Sequence, residues 1–425
     1  MITKRSLAGA VVAAALVAGG LTACSTGSGS GGVTTINWWA RVGDGQKELA
    51  KEFNATHKNI QVKITQLPDD QFVNKVGTGV RSGNGPDVID FDVANAPLFA
   101  ATGVLADISS KVDSLSYKDE LNPGMMKLAK YNGKTYSVPF TAGPSFVLYN
   151  KTLFEKAGLD PNTPPKTWAE MEADAKKVRA LGSDTYGFDI PGACGGGLSF
   201  TVQPYIWASG GQTLTAANAK QKTTYATSPE VARTFQLYQD MWKAGVVSPR
   251  AQTTDCATWG QEWEAGKVGM ITSGAWMVAP TEKTGAKVGY FAIPSSDGSG
   301  TSTFAGGNND GIAASSKKQE QAWTFLQWLM GAKAQKAMSA SNGQAPVRSD
   351  VKVDNALVSF QQKIGEHSDA PDSIATNALQ LSASSPWLTA FQEIVFQGKD
   401  VDTSLQKADS DSKNLIGQAY QQVGQ

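Results

Sequence analysis

Histidine is nearly missing from this chain, with two in 425 residues, so a histidine-based metal or acid/base centre has almost nothing to draw on. Cysteine is scarce too: three, with no Cys-x-x-Cys pair and no His-Glu-x-x-His, and a metal site has no support. Charge is thin at 18%, below the usual quarter or so, while apolar residues reach 41%, which excludes a disordered acidic chain. Neither sign prevails. Lys+Arg and Asp+Glu both count 38, leaving no excess of cations to neutralise phosphates, and this argues against a nucleic-acid binder. A phosphate loop is absent as well: Gly133-Lys134-Thr135 looks promising, but Leu128 stands where its first glycine belongs. What the chain does have is glycine (44), tryptophan (11) and enough length for two domains, each with its own core.

The amino end is unlike the rest. Lys4 and Arg5 precede an apolar run, Leu7 to Ala18, too short to span a bilayer and in keeping with a secretory signal. Leu21-Thr22-Ala23-Cys24 follows and resembles the lipobox of bacterial lipoproteins, which implies cleavage before Cys24 and acylation of its thiol. The alternative is ordinary secretion with an incidental cysteine. Residues 25–32, all Ser, Thr and Gly, form a flexible tether with no means of packing. Removing residues 1–23 takes away two cations and no acid, leaving 36 basic against 38 acidic residues. With Cys24 lipidated, Cys194 and Cys256 remain as an even pair, expected to join as one disulfide outside the cell, or else to stay as two free thiols.

From Val33 onward, strand-like and helix-like segments alternate. Thr34–Trp39 is β-branched and aromatic; Leu49, Ala50 and Phe53 have helical spacing; Ile60, Val62 and Ile64 alternate with polar residues. Helix over 70–81, a short strand over 87–91 and helix over 94–101 complete a βαβαβ order, which predicts a parallel sheet covered on both faces. Thr167–Glu170 fits a capping box ahead of a helix reaching about Leu181, and Ser228-Pro229 offers an N-cap for another. Phe235, Tyr238 and Trp242, and Trp323, Leu326, Leu329 and Met330, make apolar stripes expected in the core. Further strands are expected at 135–138, 145–149, 268–271, 287–293 and 311–314.

Several segments then fall into a familiar order: Gly85-Pro86-Asp87-Val88-Ile89, Gly103-Val104-Leu105-Ala106-Asp107, Tyr131-Asn132-Gly133-Lys134 and Leu148-Tyr149-Asn150-Lys151. Gln203-Pro204-Tyr205, Gly266–Met270 with Gly274-Ala275-Trp276, and Ala322–Leu326 continue it. Together they resemble the extracellular carbohydrate-binding proteins of ABC importers, the group that includes maltose-binding protein. That resemblance implies a two-lobed α/β fold of the periplasmic-binding-protein type, with two or more crossover hinge strands and a ligand cleft between the lobes. Lobe one would take residues 33–141 and 294–346; lobe two would take 142–293 and 347–425. It also implies no catalysis and no cofactor. The partners would be a neutral mono- or oligosaccharide and the transmembrane subunits of a permease, the protein being a monomer held to the outer face of a bacterial membrane, Gram-positive by its tether, by lipid alone.

A sugar asks for planar polar side chains and stacking rings. In lobe one the candidates are Trp39 and Arg41 at the end of the first strand, Phe91, Asp92 and Asn95 around the third, and Asn308 and Asn309 in a Gly/Asn loop. Trp38, on the opposite face from Trp39, is expected in the core, and Asp92 could equally be a helix N-cap. In lobe two the resemblance points to Gln203, Tyr205, Trp276 and Trp387; Gly274 and Ala275 would expose the Trp276 ring at a strand end. Gln203 stands where that group has glutamate, as Gly143 does, and Ala94 and Asn95 replace its charged sugar contacts, which argues against maltodextrin as ligand. Two rivals stand beside this reading. One is the same fold carrying a peptide, polyamine or glycerophosphodiester. The other is a secreted glycoside hydrolase using Asp92 and Asp310, which would need the two carboxylates some 5–9.5 Å apart across the scissile bond.

Overall fold

The computed structural model describes residues 32–43, 45–215, 220–365 and 368–424, so the expected signal, lipobox and Cys24 lie outside the described residues. Twelve strands matter to the site. In chain order they are β1 (Thr34–Arg41), β2 (Ile60–Leu67), β3 (Val88–Asp92), β4 (Val138–Ala142), β5 (Phe146–Asn150) and β6 (Tyr186–Asp189). After them come β7 (Val268–Ser273), β8 (Val288–Phe291), β9 (Ile293–Pro294), β10 (Thr301–Phe304), β11 (Gly307–Ile312) and β12 (Ser368–Asp369).

They build two main sheets. The first has the order β2-β1-β3-β11-β4 and the second β8-β5-β7-β6, with β9-β10-β12 forming a small sheet of its own. This is the two-lobed fold expected from the sequence, though the sheets are mixed. β1 runs parallel to both β2 and β3, as the βαβαβ order predicts, whereas β11 is antiparallel to β3 and to β4. A strand entering from a distant part of the chain has no helical crossover from its neighbour to set it parallel.

Alternation along β1 explains its two faces. Ile36, Trp38 and Ala40 are buried and Asn37, Trp39 and Arg41 are half-buried. Trp38 joins one apolar layer with Phe53 of helix α1 (Gln46–Thr56), Phe140 and Phe325, and Phe91 joins the opposite layer with Phe72 and Val76 of helix α2 (Asp69–Ser82). The second sheet is covered by helices α3 (Trp168–Arg179), α4 (Gly195–Ala208) and α5 (Pro229–Lys243). Trp387, Phe391, Leu405 and Ala408, from near the end of the chain, share that core. The stripe on α5 is apolar core as expected, with Phe235 and Tyr238 buried and Trp242 half-buried at its edge.

Local signals fare unevenly. The Thr167 hydroxyl accepts from the Glu170 N–H, and the Glu170 carboxylate reaches back to the Lys166 N–H, one residue beyond a standard capping box. Ser228 does precede α5, but its hydroxyl donates to the Glu230 carboxylate instead of capping. The Gly306–Gly311 segment, expected as a loop, is strand β11, because Asn308 and Asn309 find ladder partners on β3 and β4. Among the described residues, no helix is long and apolar enough to cross a membrane.

Candidate functional site

In an open α/β sheet, ligands gather at the carboxyl ends of parallel strands where the strand order reverses. Here that point lies between β1 and β3, since the chain goes out from β1 to β2 and returns past it to β3. Arg41 closes β1 and Asp92 closes β3, and β11 brings Asn308 opposite Asp92. The three side chains meet. Arg41 Nη1 donates to Asp92 Oδ2 and to Asn308 Oδ1, both at 3.0 Å. The other Asp92 oxygen accepts from the Ala94 N–H at 2.9 Å, so this carboxylate is both a helix cap and an ion-pair partner. The helix-cap reading of Asp92 is met, and the ion pair with Arg41 is one the sequence did not announce. Side-chain exposures of 25% for Arg41 and 34% for Asp92 leave the pair at a wet edge, its charges already mutually compensated.

Trp39 lies on the same face of β1 as Arg41. Its ring sits over Gly79 of α2, where a Cβ would come within 2.9 Å of it, and one side stays half-buried. Asn95 is buried and accepts from Asn377 Nδ2 at 3.2 Å, a hydrogen bond from the turn at Asn377–Leu381.

The second sheet contributes rings. β7 ends at Ser273, and Gly274 lets the chain turn so that the Trp276 ring folds back over it; a Cβ on Gly274 would collide with that ring. The same ring lies 3.1 Å from where a Cβ on Gly143 would stand, just beyond β4 of the first sheet, and the Gln344 amide comes within 2.6 Å of that point. The absent side chain at Gly143 is what lets Trp276 and Gln344 approach. Phe200 of α4 lies 5.6 Å from Trp276, tilted by 39°, and meets Trp259 edge-on at 6.2 Å. It also lies 5.6 Å from Phe304, and Trp207 lies 5.6 Å from Phe304 in turn. All but Phe304 are half-buried, making a wall of rings where the two sheets approach.

Five expected contacts need correction. Phe91 is wholly buried against Phe99, ring centroids 5.1 Å apart, because β3 is covered on both faces. Gln203 and Tyr205 lie inside α4, a helix apolar nearly all round: the Gln203 amide is taken up by Gln380 and Thr213, and the Tyr205 hydroxyl by Thr272. Trp387 is sealed against Phe235 and Tyr225. Asn309 is buried with its Nδ2 on the Ser137 hydroxyl, the alternation of β11 sending it inward while Asn308 faces out. None of the five leaves a face for a solute. Arg348 pairs with Asp350 and covers the Tyr117 ring.

Phe200, Trp207, Trp259 and Gln344 escaped the sequence reading. Phe200 and Trp207 sit seven apart on α4 and so share one face, a spacing that was available; Trp259 and Gln344 lie in irregular segments that no periodicity marks.

The hydrolase pair also comes apart. Asp310 is fully buried, its Oδ1 accepting from Trp38 Nε1 at 3.1 Å, and it faces Asp90 across β11 and β3. Burial and the Asp90 charge push the Asp310 carboxyl well above the usual carboxylate range. It belongs to the core beneath Trp38, apart from the wet edge where Asp92 lies.

A sequence profile described as bacterial extracellular solute-binding protein matches residues 48–362. The chain is 28% identical over 326 residues to the diacetylchitobiose-binding protein DasA of Streptomyces coelicolor, covering 73% of each. It is 26% identical over 366 residues to the sn-glycerol-3-phosphate-binding periplasmic protein UgpB of Brucella melitensis, covering 82% of this chain and 80% of that one. Its fold superimposes on an ABC-transporter solute-binding protein of Thermotoga lettingae bound with α-D-tagatose, with a TM-score of 0.80, 23% identity, and coverage of 90% and 100%.

Proposed function

The chain belongs to the bacterial extracellular solute-binding protein family, and from that premise we propose that it captures a neutral carbohydrate between its lobes and delivers it to the membrane subunits of an ABC importer. One observation carries the choice of solute. The cleft pairs a wall of rings with amides and with a cation, Arg41, whose charge Asp92 already balances. Rings offer area to the C–H face of a sugar, and Asn308 and Gln344 offer donors and acceptors to its hydroxyls. A hydroxyl missing from the wrong sugar would leave one of them unpaired, and that is the source of selectivity.

The strands support a hinge near residues 142 and 294. β4 and β5 are four residues apart in the chain yet lie in different sheets, and β8 and β11 likewise fall on either side. We keep lobe boundaries of 33–141 with 294–346 and 142–293 with 347–425, and closure about these crossings would bring Trp276 against a solute resting on Arg41 and Asn308. Anchoring through a lipid on Cys24 and action as a monomer are part of the same proposal.

A second reading, a phosphorylated polyol, has the UgpB relative in its favour. A phosphate dianion calls for cations not already matched by carboxylate, so the Arg41–Asp92 pair favours the neutral solute. Thermal-shift measurements against neutral mono- and oligosaccharides and sn-glycerol-3-phosphate decide between them, because a ligand well above its dissociation constant raises the melting temperature by linkage. A shift with a saccharide and none with the phosphate is the expected result; the reverse would overturn the proposal.

A further inference from the structure

Beyond the wall of rings, two cavities of about 500 and 300 Å3 open side by side on the second lobe and share Arg250, Gln261 and Glu262. The smaller is also lined by Asp189, Thr254, Thr258 and Gly260. Asp189 closes β6, which runs parallel to β7, so it lies at the same edge of the sheet from which Trp276 emerges. Asp189 is 6% exposed, and its Oδ2 has no hydrogen-bond partner among the described residues. Burial, with Glu262 nearby, pushes its carboxyl up to about 7, against a hydrogen bond from the Ile190 N–H.

Residues lining the smaller cavity adjoin the wall of rings in the chain. Thr258 and Gly260 flank Trp259, whose ring meets Phe200, and Gly260 packs against the side chain of Met277, the residue after Trp276. A lone metal ion fits poorly. Among the described residues no three His, Cys, Asp or Glu side chains are placed to hold one, and the volume is about ten times the ~30 Å3 share of a water molecule. A full organic cation is disfavoured too, because Arg250 lines the same space as the two carboxyls. What remains is a molecule's end that donates hydrogen bonds without carrying charge.

We propose that this cavity is a subsite for the hydroxyl groups of a saccharide whose rings run along the Phe200–Trp276 wall, with Asp189 Oδ2 as their acceptor, so that the solute is an oligosaccharide. This rests on the cleft being a sugar site. Donors to a carboxylate favour its ionised form, so binding draws the proton off Asp189 and affinity climbs as pH rises through 7. Glu262 on the helix at Gln261–Glu264 and Arg250 on the turn at Pro249–Thr253 are the other charged groups lining the cavity.

The test is isothermal titration of the wild type and Asp189→Asn with glucose, maltose, maltotriose, cellotriose and chitotriose, at pH 6 and pH 8. The best trisaccharide is expected to bind the wild type at least tenfold more tightly than glucose, and more tightly at pH 8 than at pH 6. In Asp189→Asn the trisaccharide advantage shrinks by at least tenfold and the pH dependence vanishes. Should the variant fail to fold, the wild-type pH profile decides alone, a flat profile overturning the subsite. Saccharide binding that Asp189→Asn leaves intact overturns the subsite and spares the cleft; a wild type that binds none of the sugars overturns both.

Discussion

At the scale of single residues, the proposed sugar site turns on Trp276 and on what lets its ring lie where it does. Trp276→Ala removes half-exposed ring area and is expected to abolish the saccharide-induced rise in melting temperature while leaving the unliganded melting temperature within a few degrees. Gly274→Ala is the sharper experiment. A methyl there collides with the Trp276 ring and displaces it, so the variant is expected to lose binding although every ligand-contacting side chain is still present. Titration of both variants checks this; full-strength binding by Gly274→Ala would remove the ring from the site. Asp189 gives a prediction that needs no ligand. Its carboxyl titrates near 3.9 in an unfolded chain and about 7 in the fold, so the fold holds the proton. Stability from that proton is complete below pH 4 and is lost as pH rises through 7. Asp189→Asn, which keeps an acceptor for the Ile190 N–H, is then expected to be more stable than the wild type at pH 8, by up to roughly 4 kcal/mol, and equal to it at pH 4. Urea unfolding at the two pH values measures the difference.

Residue type and face were legible where alternation or a glycine governs. Trp38 inward with Trp39 and Arg41 on the other, half-buried face follows from the period of two, and the half-buried Trp276 ring lies beside the small residues that precede it. Phe91 and Trp387 were not, because whether a ring at a strand end or helix start faces a cleft or a neighbour depends on elements far away in the chain.

Secondary-structure elements show the same limit in another form. Gln203-Pro204-Tyr205 fits the resemblance as a cleft segment, yet it is the middle of α4 and buried on every side, while Phe200 and Trp207 on the same helix stay half-buried. Strand β11 was hidden because glycine and asparagine have low strand propensity; the ladder to β3 and β4 overrides it. The amino end of α4 is capped by Cys194, whose Sγ accepts from the Gly197 N–H and is paired with Cys256, the Cα atoms 4.8 Å apart. That pairing would tether the start of α4 to the segment leading into Trp259, two parts of the wall of rings. Intact mass before and after reduction and alkylation of the denatured protein is expected to show one disulfide. Replacing both cysteines by serine is expected to lower stability by about 2–4 kcal/mol, as for closure of a long loop. A mass showing two free thiols would remove the constraint.

The molecule as a whole is organised by its topology: two sheets, the chain passing from one to the other between β4 and β5 and again between β8 and β11, one offering a compensated ion pair with an amide and the other a wall of rings. The βαβαβ order made the parallel β2-β1-β3 part of the first sheet readable from the amino end. The mixed second sheet and the return of the final helices to it rest on contacts between distant segments that no local pattern announces. The central claim is that these halves hold a neutral sugar and leave it unchanged. Calorimetric titration with the saccharide that most raises the melting temperature, followed by mass spectrometry of the recovered sugar, tests it most directly. The account predicts one sugar per chain, heat that disappears in Trp276→Ala, and a sugar returned with its mass intact; no heat from any saccharide, or a sugar returned cleaved, would contradict it.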